Sequence, residues 1–143
     1  MTHTILRPVI SYDSATRLVE HAIAFAKSNG WAVAVVIVDP SGHIVAGGRM
    51  DGVPAPVFDY ANDKAYTAGT LGQSTRAFFE RMNSSPDLSM GVINRGRLCA
   101  WDGGLAIKEG SNHIGGIGVS GAAGHEDVAC GKAAIEAVGL VAG

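Results

Sequence analysis

From Ser11 onward, apolar residues return every three or four positions: Ala15, Leu18, Val19, Ala22, Ile23 and Ala26. That period predicts an amphipathic helix with one buried face. Ser11 is placed to cap its start and Asn29-Gly30 to end it. The run "WAVAVVIVDP" is then apolar and rich in β-branched residues until Pro40, which predicts a buried strand from about Ala32 to Val38. "PSGH" reads as a tight turn and "HIVAGGRM" as a second strand. A link this short joins antiparallel neighbours, because a parallel pair needs a long crossover.

"DGVPAP" is a loop carrying two prolines. Beyond it, Phe58, Ala61, Ala65 and Ala68 keep helical spacing on a segment that also holds Asp59, Asp63 and Lys64. Ser74-Thr75 opens a shorter helix through Phe78, Phe79 and Met82, and "NSSPDLS" reads as loop. From about Met90 to Ser120 the chain is β-rich, with turns at Asn94-Arg95-Gly96, Asp102-Gly103-Gly104 and Glu109-Gly110. Three short antiparallel strands are predicted there. A last helix, from about Glu126 to Val138, turns Val128, Ala129, Ala133 and Val138 inward, with Glu126 and Asp127 at the positive end of its dipole. The order predicts one domain over residues 1–143 of α/β (α+β type) class. Its centre is an antiparallel five-stranded sheet flanked by helices, a profilin-like or PAS-like sandwich.

Composition narrows what such a domain does. Hydrophobic residues make up 47% and charged residues 17% of the chain, which excludes a disordered segment. So few charges leave apolar surface to be covered by other copies, and a homo-oligomer is expected. A net charge of −2 offers no basic footprint for nucleic acid. No run approaches the roughly 18 apolar residues of a membrane span. The start, "MTHTILRPVISYDS", breaks the apolar run a secretory leader needs, so a cytoplasmic protein is expected. Cys99 and Cys130 lack C-x-x-C spacing and read as two buried free thiols; without C-x-x-C-H, covalent c-type haem is excluded.

The stretch "GGIGVSGAAG" contains Gly116-x-Gly118-x-x-Gly121, the spacing of a dinucleotide-binding loop. That loop needs a strand before its first glycine, a helix at its last, and a second parallel strand beyond. Here Gly116 and Gly118 fall within a predicted strand, and the chain stops at Gly143. Glu126 and Asp127 would also repel a phosphate. The nucleotide reading fails. Glycines inside a strand mark a place where a ligand, a neighbouring helix or another subunit lies against the backbone, packing being the commonest of these. Bare main chain here is expected to permit intimate contact, with a guest molecule or a sister protomer seated there.

Several separated motifs then resemble one family. "RMDGVPAP…ANDKAYTAGTLGQST", Arg49 to Thr75, followed by "GGLAI…GGIGVSGAAGHED", Gly103 to Asp127, is similar to the GlcG/HbpS family, which includes the C-terminal domain of PduO proteins. The resemblance spans nearly the whole chain, departing at Ala106, where the family often has Pro, and at Gly116, where it usually has Ala. It implies non-covalent binding of haem or a related ligand, with a redox or haem-handling role, and a symmetric homo-oligomer from tetramer to octamer. Other members sit in catabolic pathways.

Haem bound without covalent attachment needs an axial ligand such as His, an apolar slot and cations for its propionates. First-helix histidines are implicated in relatives, which makes His21 the first choice as iron ligand and His43, in the hairpin turn, the second. Each has an ordinary surface role as its alternative; His21 either faces outward or lines a subunit interface. Arg49 or Lys64 would grip a propionate or a small acid, with backbone N–H groups of Gly103, Gly104 and Ser120 completing the cradle. Asp51 alternatively forms an ion pair that pins its loop to the Lys64 helix. The rival reading is a cofactor-independent isomerase, hydratase or lyase acting on a small carbonyl or aromatic-derived acid, with Asp51 and Lys64 moving protons. A third is an oligomeric scaffold.

Overall fold

The expected stripe on the first helix is buried. In the computed structural model, which describes residues 2–143, α1 (Tyr12–Ser28) buries Ala15, Leu18, Val19, Ala22 and Ala26. Ser11 caps it, accepting from the Ser14 amide at 3.1 Å. The hairpin follows as β1 (Ala34–Val38) and β2 (Ile44–Arg49), antiparallel, with Ala34 opposite Arg49. Its turn is held by Asp39, whose Oδ1 accepts from the Ser41 and His43 amides at 2.8 and 3.1 Å.

Helix α2 (Ala55–Leu71) ends at Gly72, whose φ of 71° suits a residue without Cβ. Ser74 caps α3 (Thr75–Met82), and α4 is Pro86–Val92. Strands β3 (Gly104–Glu109) and β4 (Asn112–Ser120), helix α5 (Gly124–Val138) and strand β5 (Val141–Ala142) complete the chain. The sheet order is β2-β1-β4-β3-β5, antiparallel at every pairing.

This sheet has helices on both faces. Val35, Ile37, Ile117 and Val119 point into the core formed with α1 and α5, while Ala34, Val36 and Val38 face α2. In β4 the alternation Gly116-Ile117-Gly118-Val119 therefore places bulk on one side and bare backbone on the other. The bare side receives α2 through Ala61, Ala65 and Gly69. A Cβ on Gly118 would collide with the Ala61 carbonyl oxygen, and one on Gly116 would stand 2.5 Å from the Gly69 nitrogen. Gly116 and Gly118 thus seat a helix of the same chain, the packing alternative, rather than a guest molecule or a sister protomer.

Three local expectations are corrected. "NSSPDLS" is not all loop, because Pro86 starts α4 with a φ already suited to the first helical turn. The stretch from Met90 to Ser120 holds two strands, and the fifth is Val141–Ala142 at the chain's end. The segment before β3 takes its polar contacts from α2 instead of a strand partner: the Cys99 amide donates to Thr67 Oγ1 at 2.9 Å, and Arg97 stacks on Tyr66 at 3.8 Å. On α5 the buried face is Asp127, Cys130, Gly131, Ala134 and Ile135, so Val128, Ala129, Ala133 and Val138 are only half-buried.

Cys99 and Cys130 are both free. Cys130 is fully buried, and burial, with the neighbouring Asp127 and Glu126 charges, pushes its thiol up to about 11. Since the thiolate is the reactive form, Cys130 should resist a thiol-specific chromogenic reagent at pH 8 in the folded protein and react fully in denaturant. Rapid reaction of both thiols without denaturant would contradict the packing around α5.

Candidate functional site

Lys64 lies on the sheet-facing side of α2 and is 3% exposed. A buried ammonium must have its donors satisfied. Its Nζ donates to the Val119 carbonyl at 2.9 Å, to Ser120 Oγ at 3.2 Å and to Asp127 Oδ2 at 3.2 Å. Asp127, 2% exposed, sits in the first turn of α5, where its Oδ1 also accepts from the Ala122 amide at 3.0 Å. Burial pushes the Asp127 carboxyl above its ordinary value, and the Lys64 charge pulls it part of the way back. Gly103 makes the room, since a Cβ there would be 3.0 Å from Lys64 Nζ. Gly104 lies against the Lys64 backbone, and its amide donates to Thr75 Oγ1 at 3.0 Å.

Of the residues expected to form a cradle, Lys64, Gly103, Gly104 and Ser120 come together. Arg49 and Asp51 do not join them. Arg49 is exposed and donates from Nη1 to the Val53 carbonyl at 2.7 Å. Asp51 is exposed and has no ion pair among the described residues. The Asp51–Lys64 pairing is therefore corrected: the partner of Lys64 is Asp127. His21 is exposed on α1. His43 is exposed in the hairpin turn, with Nδ1 3.8 Å from Asp39 Oδ2. Nε2 of His113 lies 2.5 Å from the Gly69 carbonyl, and His125 is exposed at the start of α5.

Above the Lys64–Asp127 pair opens a cleft of about 570 Å³. Tyr60 from α2 and Trp101 from the segment before β3 meet edge to face, their ring centroids 5.4 Å apart. Arg76 on α3 makes a two-pronged ion pair with Asp102, Nε to Oδ1 at 2.9 Å and Nη2 to Oδ2 at 2.5 Å, and lies 5.4 Å from the centre of the Phe79 ring. The same Arg76–Asp102 pair borders a second cleft of about 600 Å³, which includes His125 and Lys132. Asp127 is legible in sequence as a dipole-favoured acid at the end of the family-like stretch, with nothing local to pair it with Lys64. Tyr60, Arg76, Trp101 and Asp102 carry no motif that marks them. Among the described residues no group of three or more His, Cys, Asp or Glu forms a metal site, and no helix is long and apolar enough to cross a membrane.

A five-stranded antiparallel sheet between helical layers, with a ligand-sized cleft over a buried lysine–aspartate pair, defines an α+β domain of the kind the motifs suggested. The chain belongs to the HbpS-like family, whose model, described as "Haem degrading protein HbpS-like", matches residues 10–136. Protein GlcG of Escherichia coli (strain K12) is 29% identical over 113 residues, covering 78% of this chain and 81% of GlcG. The crystal structure of Klebsiella pneumoniae protein ORFY superposes with a TM-score of 0.89 at 24% identity, over 97% of each chain. That of a PduOC:heme complex superposes with a TM-score of 0.84 at 24% identity, over 93% of this chain and 97% of the other. At these identities both structures establish the shared fold.

Proposed function

We propose that this protein binds haem, or a related planar ligand, non-covalently, with His21 as the iron ligand. The observation that carries the reading is an exposed imidazole on the first helix of a chain that matches the family model described as "Haem degrading protein HbpS-like". His21 makes no side-chain hydrogen bond or ion pair among the described residues, so a ring nitrogen is free for a metal. Arg17 precedes it by one helical turn and is also exposed, a cation suited to a propionate. His43 is the second choice: it sits in the hairpin turn away from the first helix, with Nδ1 3.8 Å from Asp39 Oδ2. The donor set fits haem. The apolar slot on this outer face would be completed by a second copy, in keeping with a homo-oligomeric, cytoplasmic protein of tetramer to octamer size. Exposed Ile5, Leu6, Met90 and Ile93 supply apolar surface for such assembly. When bound, haem would supply redox-active iron. His21 would hold it and Arg17 would orient its acid groups.

Hemin titration of the purified protein should give a saturable Soret shift. His21→Ala should weaken binding by about tenfold or more, and His43→Ala should change it less. A featureless, non-stoichiometric response, or an unaltered one in both variants, would reject the assignment.

A further inference from the structure

Aromatic residues are only 6% of the chain, yet Tyr60, Phe79 and Trp101 stand 40%, 38% and 60% exposed around one cleft. Rings left in water at a concave site mark a place where a ligand covers them. The polar lining is equally specific. Lys64 is spent, with donors on Val119, Ser120 and Asp127. Arg76 is not. Asp102 occupies its Nε and Nη2 edge and Phe79 lies against its plane, which leaves Nη1, with two N–H donors, unpartnered among the described residues. A guanidinium held this way offers its remaining edge at little further entropy cost. Ser120 Oγ accepts from Lys64, and no acceptor for its own hydroxyl proton is present among the described residues. The charges lining the cleft cancel, Lys64 against Asp127 and Arg76 against Asp102, so net charge is not what selects the ligand.

We infer that this cleft is a binding site for small planar aromatic compounds bearing an oxygen acceptor, a carboxylate or carbonyl, separate from haem bound at His21. The ring stacks among Trp101, Tyr60 and Phe79, and the oxygen takes hydrogen bonds from Arg76 Nη1 and the Ser120 hydroxyl. Recognition of this type draws on aromatic area and directed donors. Among the described residues no histidine, cysteine or methionine lines the cleft, which sets it apart from an iron site built on imidazole.

The test is a titration of the full chain with 2-naphthoate, followed by amide chemical shifts. Saturable shifts should cluster at Tyr60, Arg76, Trp101 and Ser120. Trp101→Ala and Arg76→Gln, each checked for native circular dichroism, should weaken binding by about tenfold. Cyclohexanecarboxylate, which keeps the acid but loses the aromatic face, should bind about fivefold more weakly or worse. His21→Ala should leave naphthoate binding unchanged, and Trp101→Ala should leave the hemin response unchanged. Absence of saturable shifts, or equal binding in both cleft variants, would overturn the site. Loss of the hemin response in Trp101→Ala but not in His21→Ala would show that the cleft is where haem binds and would overturn both the separateness of this site and the role of His21.

Discussion

Replacing Lys64 with methionine while Asp127 remains should destabilise the fold by about 3–5 kcal/mol, the range for breaking a buried ion pair from one side. Methionine fills much of the same space, so the loss is electrostatic more than steric. It strands the Asp127 carboxylate at 2% exposure with the Ala122 amide as its remaining partner, and it removes the donor from the Val119 carbonyl and Ser120 Oγ. The double variant Lys64→Met/Asp127→Leu should recover a large part of that loss, because it removes both charges and leaves an apolar pair. Urea denaturation of the four members of the cycle measures this. A single-variant cost under about 1 kcal/mol would mean the pair behaves as a solvated surface bridge.

The same variant has a signature in pH. Burial raises the Asp127 carboxyl and Lys64 lowers it, so Lys64→Met should raise the Asp127 titration further, as read by carboxyl-carbon NMR. The sign of the linkage follows. Between its ordinary value and its raised native value, the folded protein holds this proton more tightly than the unfolded chain. The contribution of Asp127 to stability is therefore most favourable below that window and declines as pH rises through it. In the variant the decline should be larger and centred at higher pH. A downward shift would place the cause elsewhere than Lys64.

Gly118→Ala is expected to be the second large loss, at the upper end of the 1–3 kcal/mol typical of overpacking, about 3 kcal/mol. The added methyl meets backbone on both counts, the Ala61 carbonyl oxygen and the Ala65 nitrogen at 2.5 Å, so no rotamer change relieves it. Helix α2 must move off the sheet. That movement carries Lys64 away from Asp127, and the variant should lose the tight packing of the cleft floor along with stability. Gly96→Ala is the matched control, since a methyl there would have nothing within 4 Å, and it should stay within about 0.5 kcal/mol of the parent. Thermal and urea unfolding compare the two. Equal stability of both variants would show that α2 does not rest on the bare face of β4.

Much of the fold is legible in local pattern. The α1 stripe, the β1–β2 hairpin and the glycine stop of α1 follow from periodicity and turn residues, because each depends on neighbours within a few positions. The total of five antiparallel strands, by contrast, is reached through β5 at the chain's end and not through a third strand between Met90 and Ser120. Pattern misleads where a segment's partner is distant. The run around Leu98 to Ala100 is β-like in composition, yet it is held by Thr67 rather than by a strand. The buried face of α5 departs from its pattern for the opposite reason: Asp127 is turned inward by a lysine on another helix, and the apolar count alone points its face the other way.

By itself, then, the sequence determined the class of fold, the order of its elements as far as α3, the family and the residues on offer for chemistry. Tertiary structure alone decided which of them meet. Lys64 and Asp127 stand 63 positions apart, and their contact exists because bare β4 backbone lets α2 approach while the turn after Ser120 delivers α5. The cleft formed by Tyr60, Arg76, Trp101 and Asp102 is likewise a product of packing, since side chains from separate elements leave no shared period in the chain that would mark them as neighbours.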